Sequence, residues 1–402
     1  MGLRNWLFGA HKSLPWWPQG MNNRWWQFRV IDIIVTLLRS RKTKHGLVVV
    51  RMDGLGDMIL FRQLLDYYPK AFGIAQEAIT VVGCHSWKSL ATTVFAGYNV
   101  VTIDEHKYER RFFYRLKVSL WMAQQNFQQA TCDIYFRKTM TCDSLLYYSY
   151  AERIVVCEPY PSDKTKPRFD YYRRLYTDVI DTGAHPRHET VRHYQFLSKL
   201  LGYHVNPQPL HIPWRKQCDP IPYKPYVAFN FGSNEAGRRW PFDSFIALAE
   251  RVMARGYYAL FLGGPAELSY RAELDTKCKN PRLINYIGKD KGLTDVLDIF
   301  QHAHATITSE TGPGHFSLAL QVPTLMICGG GANILFTPYP KEISSDSMRF
   351  AYAYRECFGC LEHCPFRSDA THPFPCLADV SVEQAWQEFE KFIPHKTVEC
   401  IH

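Results

Sequence analysis

Short, continuous apolar runs alternate along the chain with longer segments in which apolar residues recur every three or four positions. The run GLVVVRM at 46–52 is typical of a strand buried on both faces, as in a parallel sheet. By the same pattern we predict strands at 46–52, 78–82, 100–103, 153–157, 226–231, 257–262, 283–287, 305–308 and 324–328. We predict helices at 58–68, 113–129, 188–201, 242–255, 266–277, 293–302, 316–320 and 382–392. Regular alternation of the two predicts an α/β fold.

A proline-rich break divides this alternation. Residues 206–225 contain six prolines, which exclude a helix or a central strand. A chain of 402 residues is also long enough for two domains. We therefore predict a first Rossmann-like domain at 46–212, a linker at 213–225 and a second Rossmann-like domain at 226–402, with a ligand cleft between the domains.

Residues 1–45 form an extension of different composition. They hold eight Lys or Arg side chains against one Asp, and five of the ten tryptophans, in a chain whose net charge is +9. Residues 25–38 predict an amphipathic helix that is too short, and too interrupted by charge, to span a bilayer. Such an extension favours an anionic membrane surface, and packing on the protein itself or at a dimer contact is the alternative. No nucleic-acid-binding motif accompanies the charge, so no nucleic-acid partner is expected.

A glycine-containing turn follows the first predicted strand. The segment DGLGD at 53–57 lacks the third glycine of the dinucleotide fingerprint, but its two glycines allow close approach of a ligand. Asp57 begins the next predicted helix, where a carboxylate can act as a general base toward a hydroxyl. The alternative is an acid that only complements the helix dipole.

Three further turns in the second domain offer groups suited to a nucleotide diphosphate. The segment FGSNEAGRRWP at 231–241 supplies N–H, hydroxyl and amide donors and guanidinium groups that pair with phosphate oxygens. Glu267 follows a strand at a position where carboxylates accept ribose hydroxyls. The segment TSETGPGHFSLAL at 308–320 directs backbone N–H groups toward an anion. For each turn alone, a helix start or a solvated loop is the alternative.

Taken in order, these segments resemble glycosyltransferase family 9, the ADP-heptose:lipopolysaccharide heptosyltransferases. The resemblance runs from about residue 46 to the C-terminus and rests on RMDGLGDMIL at 51–60, GRRWP at 237–241, GGPAE at 263–267 and SETGPGHFSLALQVPT at 309–324. It implies an α/β fold of GT-B type, with two Rossmann-like domains facing a central cleft and a basic, Trp-rich helical extension added here. It also implies an inverting, metal-independent sugar transfer without a catalytic cofactor.

The resemblance implies roles for single residues. Asp57 matches the general base, Glu267 matches the acid that holds the ribose, and Glu310 stands where the family usually has Asp. The predicted donor-binding set is Ser233, Asn234, Arg238, Glu267, Glu310, Thr311, Gly312 and His315. The first domain binds the acceptor in this family, so its basic cluster supplies the predicted acceptor contacts Arg110, Arg111, Arg115 and Lys117. Solvated helix faces are the alternative for these four residues.

Four cysteines lie within twenty residues at 357–376, in CFGCLEHCPFRSDATHPFPC. Their spacing suits a structural, tetrahedral thiolate site, and Zn or Fe would both fit. Free thiols, or disulfides formed on isolation, are the alternative. The stretch resembles the four-cysteine iron finger of a subgroup that glycosylates bacterial autotransporters, although that subgroup begins with a barrel. The predicted ligands are Cys357, Cys360, Cys364 and Cys376.

These features predict an inverting glycosyltransferase that moves heptose from ADP-heptose onto a glycolipid of the lipopolysaccharide-core type. Another nucleotide sugar or a protein acceptor is the enzymatic alternative, and a membrane-associated nucleotide-binding scaffold is the non-enzymatic one. Twelve cysteines without a recognised secretion signal favour a reducing compartment. The expected location is therefore the cytoplasm, peripheral on the inner face of the inner membrane, and an oligomer is compatible with this prediction.

Overall fold

A computed structural model of the chain describes residues 25–162, 166–217 and 219–393. The described residues fall into two compact units. Unit 1 draws on Met1–Gly54, Leu64–His185 and Arg192–Val205. Unit 2 draws on Leu55–Gln63, Pro186–Val191 and Asn206–His402.

Unit 1 is built on a six-stranded parallel sheet. Its strands are His45–Arg51 (β1), Ile79–Cys84 (β2), Asn99–Ile103 (β3), Phe127–Cys132 (β4), Arg153–Cys157 (β5) and Asp178–Ile180 (β6). They lie in the order β3-β2-β1-β4-β5-β6. Val49 of β1 pairs with Val81 of β2 and with Thr131 of β4. The apolar run of β1 is buried because β1 lies inside the sheet and is covered on both faces.

Strand β4 corrects the predicted helix at 113–129. That helix ends at Gln124, and residue Asn126 takes a left-handed φ of 57° before β4 begins. The sequence FQQATC did not indicate a strand, because two glutamines interrupt its apolar pattern. Gln129 is accommodated because its amide donates to the carbonyl of Phe72 at 2.9 Å. The result is a central strand, directly beside β1, that periodicity alone did not indicate.

Helices of unit 1 cover this sheet. They are Trp25–Leu38, Tyr68–Phe72, Ala91–Val94, Glu105–Arg110, Phe112–Gln124, Cys142–Ser149 and Lys166–Arg173. Two further helices, Leu55–Leu65 and Glu189–Leu201, are divided between the units, and Leu55–Gln63 belongs to unit 2.

Unit 2 is built on a second six-stranded parallel sheet. Its strands are Tyr226–Asn230 (β7), Tyr258–Leu262 (β8), Leu283–Asn285 (β9), Ala305–Ser309 (β10), Thr324–Ile327 (β11) and Met348–Ala351 (β12), in the order β12-β11-β10-β7-β8-β9. The core includes the stacked rings of Phe229 and Phe261, 4.9 Å apart. The main helices are Phe242–Ala254, Tyr270–Lys277, Leu293–His302, Gly312–Ala319, Pro375–Ala378 and Val382–Glu390. Each turn that the sequence analysis selected follows the carboxyl end of a strand, where α/β proteins bind ligands.

The helix Trp25–Leu38 belongs to unit 1 and has two apolar faces. Phe28, Ile31 and Val35 are buried, and the helix packs on Phe112–Gln124. The side chains that remain exposed are Val30, Ile33, Leu37 and Leu38. Residues 1–24 of the predicted extension lie outside the described residues. In the part of the chain that the structure describes, no helix has the length and apolar character to cross a membrane.

Candidate functional site

The turn that carries Asp57 lies directly against the turn at 308–320, within unit 2. A Cβ atom at Gly56 would approach Cδ2 of His315 to 2.9 Å, and one at Gly312 would approach Cβ of Leu55 to 3.0 Å. Both glycines are therefore needed for close contact. Asp57 follows Gly56 in the first turn of Leu55–Leu65. The structure thus brings the predicted base and the predicted anion-binding turn together.

His315 is a buried, neutral imidazole in this contact. Its Nδ1 atom lies 2.6 Å from the hydroxyl of Tyr339. Burial, followed by the charges of His188 and Arg238, lowers the pKa of His315 to about 3. The ring is therefore a hydrogen-bonding group at neutral pH and not a cation. Burial also raises the pKa of Tyr339, and the charges of Glu310, Cys328 and Asp57 add to that rise.

Arg238 is anchored beside the same turn. Its Nη2 atom donates to the backbone carbonyl of Glu310 at 2.5 Å. The Glu310 carboxylate is buried and accepts a hydrogen bond from the Thr337 hydroxyl at 2.7 Å. Burial raises the pKa of Glu310, whereas Arg238 and the Thr337 hydroxyl oppose the rise. A partly exposed guanidinium next to a helix N-terminus forms an environment suited to phosphate oxygens.

The helix Gly312–Ala319 supplies that N-terminus. Thr311 is its N-cap residue, with extended backbone dihedrals, and Pro313 lies in its first turn. Thr311 and Gly312 are partly exposed, so a ligand can reach the positive end of the helix.

A second group of donor-type residues surrounds Glu267. Its carboxylate accepts the N–H of Gly264 at 3.0 Å and lies 4.0 Å from Nη2 of Arg239. A Cβ atom at Gly232 would come within 2.7 Å of this carboxylate. Arg239 also donates to the carbonyl of Ser233, at 2.8 Å from Nε and 2.6 Å from Nη2. Asn234 is exposed on the same loop.

A cavity of about 220 Å³ adjoins Glu267 and Arg239. Its apolar walls include the aromatic side chains of Phe231, Trp240, Phe242 and Tyr270. The sequence analysis did not assign these rings to the site, although Phe231 and Trp240 lie in the selected segment at 231–241. Phe242 and Tyr270 lie at the starts of helices and have the pattern of core residues. Aromatic walls beside a carboxylate and a guanidinium are typical of small-molecule sites.

Unit 1 holds a buried ionic network around Arg51. Nη1 of Arg51 lies 2.6 Å from Oδ1 of Asp133, and the guanidinium also pairs with Asp53. Nδ1 of His193 lies 2.9 Å from the other oxygen of Asp133. Asp53 is the first residue of the turn at 53–57, so the network fixes the start of that turn. In the sequence, the only sign of this network was Arg51, a charged residue at the end of an otherwise apolar strand.

The predicted acceptor contacts have two different environments. Arg110, Arg111 and Lys117 are exposed and remain predictions. Arg115 is only 1% exposed, with its guanidinium 3.8 Å from the ring centroid of Phe28 and donating to the carbonyl of Met140 at 3.2 Å. The structure therefore corrects its predicted role, because Arg115 stabilises the packing of the N-terminal helix instead of facing a ligand.

The four clustered cysteines are free thiols that line one cavity of about 10 Å³. The N–H of Gly330 donates to Sγ of Cys376 at 3.2 Å, and burial raises the pKa of the Cys376 thiol. Among the residues that the structure describes, no three His, Cys, Asp or Glu side chains are arranged as ligands of one metal ion. The cavity is of the size of one water molecule or one ion.

Sequence comparisons point to one family. The sequence profile of glycosyltransferase family 9 (heptosyltransferase) matches residues 170–356. The lipopolysaccharide heptosyltransferase 1 of Pseudomonas aeruginosa is 25% identical over 225 residues, which is 54% of this chain and 62% of that protein. The match thus spans less than two thirds of the relative's length.

Structural comparisons agree on the fold. The glycosyl transferase family 9 structure from Veillonella parvula is 17% identical, with a TM-score of 0.67, covering 88% of this chain and 98% of that one. The iron-containing dodecameric glycosyltransferase TibC of enterotoxigenic Escherichia coli is 12% identical, with a TM-score of 0.52, covering 88% of this chain and 77% of that one. Together with the two parallel sheets, these similarities confirm the predicted α/β fold of GT-B type.

Proposed function

We propose that the chain, which is similar to glycosyltransferase family 9 heptosyltransferases, transfers heptose from ADP-heptose to a hydroxyl of a lipopolysaccharide-core-type glycolipid. The observation that carries the proposal is the contact between the Asp57 turn and the His315 turn, at Gly56 and Gly312. It puts a carboxylate beside groups suited to a diphosphate. The name of the Pseudomonas aeruginosa relative supports the choice of sugar and acceptor class.

The proposed reaction is a single displacement with inversion. Asp57 takes the proton of the acceptor hydroxyl as its oxygen attacks the anomeric carbon of the sugar. The bond between that carbon and the diphosphate oxygen breaks, and ADP leaves with the electron pair. Arg238 and the N-terminus of Gly312–Ala319 stabilise the developing negative charge, and neutral His315 donates a hydrogen bond. No resident cofactor is required in this scheme.

The test is a transfer assay with purified protein, ADP-heptose and a lipopolysaccharide-core acceptor, followed by intact-mass analysis. We expect the acceptor to gain the mass of one heptose residue. ADP binding without a product from lipid or protein acceptors would replace this proposal with the nucleotide-binding scaffold. Transfer to a protein, but not to the glycolipid, would select the alternative acceptor.

We further propose that the protein acts at an anionic membrane, on the inner face of the inner membrane, and that the helix Trp25–Leu38 contacts the lipid. Ile33 is 62% exposed and Leu37 is 75% exposed, in a helix that is followed by basic residues. Exposed apolar side chains next to basic ones bind an anionic interface by insertion and by attraction.

The double variant Ile33→Ser, Leu37→Ser should therefore bind anionic phosphatidylglycerol vesicles at least about tenfold more weakly, since two large side chains no longer leave water. Vesicle flotation measures this loss. Tyr354→Ser is the matched control, because Tyr354 is 74% exposed in unit 2. Equal binding by the double variant and the wild type would place the lipid contact elsewhere.

We also propose that the four clustered thiols hold one structural Zn or Fe ion as thiolates. The proposal rests on their shared cavity, on the N–H donated to Cys376 and on the iron named for TibC. Four thiolates would complete a tetrahedral coordination sphere, so the ion would support the fold and take no part in transfer.

Elemental analysis of the purified protein should find about one metal ion per chain. Cys364→Ser should lower that content severalfold, because three thiolates remain. Cys84→Ala is the control, since Cys84 is a buried thiol of unit 1. A wild-type protein that is stable and metal-free would reject the proposal.

A further inference from the structure

The four-cysteine segment at 357–376 is joined to the predicted donor loop at 233–239. The N–H of Phe374 donates to the carbonyl of Gly237 at 2.8 Å, and a Cβ atom at Gly237 would lie 2.7 Å from the Phe374 ring. Nη1 of Arg367 lies 2.9 Å from the carboxylate of Glu235, which also accepts the N–H of Gly237 at 3.1 Å. The segment therefore packs against this loop and helps to fix its conformation.

The same segment places the carboxylate of Glu362 beside Arg238. Oε1 of Glu362 lies 3.5 Å from Nε of Arg238, and the two side chains are 40% and 35% exposed. Nη2, the neighbouring donor on the same edge of the guanidinium, donates to the Glu310 carbonyl. An anion that pairs with this Nε–Nη2 edge of Arg238 must therefore displace the Glu362 carboxylate.

The backbone holds Glu362 in this position. Leu361 and Glu362 have left-handed φ angles of 52° and 65°, which are unfavourable for residues with a Cβ atom. The N–H of Leu361 donates to the carbonyl of Gly331 at 2.9 Å, and a Cβ atom at Gly331 would lie 3.1 Å from Glu362. Two consecutive residues in this conformation indicate that the surrounding structure imposes the placement.

We propose that Glu362 sets the affinity of the donor site for anions: its carboxylate pairs with the Arg238 guanidinium until the donor's diphosphate displaces it. A diphosphate carries more negative charge than the single carboxylate, so it displaces the carboxylate from Arg238. A neutral nucleoside gains nothing from Arg238 and leaves the pair intact. The inference rests on the proposed donor role of Arg238. Glu362 therefore lowers the affinity for anions by a similar factor and leaves the affinity for neutral nucleosides unchanged.

Isothermal titration of ADP and adenosine into the purified protein tests the inference. Glu362→Gln should bind ADP about two- to fivefold more tightly at low salt, the range set by a partly exposed ion pair. The gain should shrink at high salt because screening weakens the pair in the wild type. Adenosine affinity should not change. Glu356→Gln is the matched control, since Glu356 is an exposed glutamate directly before the four-cysteine segment.

A second variant separates charge from backbone effects. Glu362→Gly also removes the carboxylate, and glycine adopts the left-handed conformation without strain, so this variant should fold and should show the same gain. Unchanged or weaker ADP binding in both variants would overturn the inference while leaving the proposed function intact. A wild-type protein that binds no ADP would instead remove the proposed function itself.

Discussion

Asp57→Asn should retain ADP binding and lose about 10²- to 10⁴-fold in the rate of sugar transfer, the range typical of a removed general base. Asparagine keeps the shape of the side chain, but its amide does not accept the acceptor's proton. The contacts of Gly56 and Gly312 do not involve the carboxylate, so the donor site should persist. Initial transfer rates and calorimetric ADP affinity measure the two quantities separately.

The matched control for this result is Asp66→Asn. Asp66 is exposed just beyond the C-terminal end of the same helix, Leu55–Leu65, and it accepts a hydrogen bond from Tyr98 at 2.9 Å. Its substitution should leave the rate unchanged. Full activity of Asp57→Asn would exclude the proposed base, whereas a parallel loss of ADP binding would indicate damage to the donor site.

Asp133→Asn should destabilise the centre of the unit 1 sheet by about 3–5 kcal/mol, the usual result of breaking a buried ion pair. The variant leaves the guanidinium of Arg51, which is 1% exposed, without its main carboxylate. Hydrogen exchange of the amides of β1 measures the local opening free energy directly. Glu152→Gln is the control, since its exposed carboxylate pairs with Lys44 at 3.6 Å and should contribute less than about 1 kcal/mol.

The same network predicts a dependence on pH. Burial alone would raise the pKa of Asp133, but the charges of Arg51 and His193 outweigh it and hold the pKa well below the ordinary aspartate value. Unfolding releases that stabilisation, so the contribution is complete above the unfolded-state pKa of about 4 and falls as the pH decreases below it. Wild-type protection of β1 should decline over this acid range. Asp133→Asn should lack this component, and an identical decline in both proteins would contradict the assignment.

Local sequence was sufficient for the elements whose burial is uniform. The run at 46–52 predicted β1 within one residue at each end, because its side chains are apolar on both faces. Local sequence did not predict β4, where Gln129 is stabilised by a hydrogen bond to another part of the chain. A polar residue in a central strand requires a distant partner, and periodicity contains no information about that partner.

Some features of the candidate site were likewise predictable from the sequence, and others were not. The glycine turns were visible as motifs, but the reason for Gly56, the ring of His315, became clear only in three dimensions. Tyr339 and Thr337 lie in no recognisable motif, yet they bond His315 and Glu310. Arg115 was misassigned because charge in the sequence does not distinguish a solvated arginine from one buried under Phe28.

The backbone hydrogen bond between Phe374 and Gly237 connects the cysteine segment to the donor loop. If the cysteine segment holds the proposed metal ion and the loop binds the proposed donor, any coupling between the two sites is reciprocal. If metal retention by the thiols changes nucleotide affinity by some factor, then nucleotide must change metal affinity by that same factor. If the metal raises nucleotide affinity, saturation with nucleotide would accordingly protect the metal from chelators, and preparations with different metal content would differ in their apparent affinity for the donor.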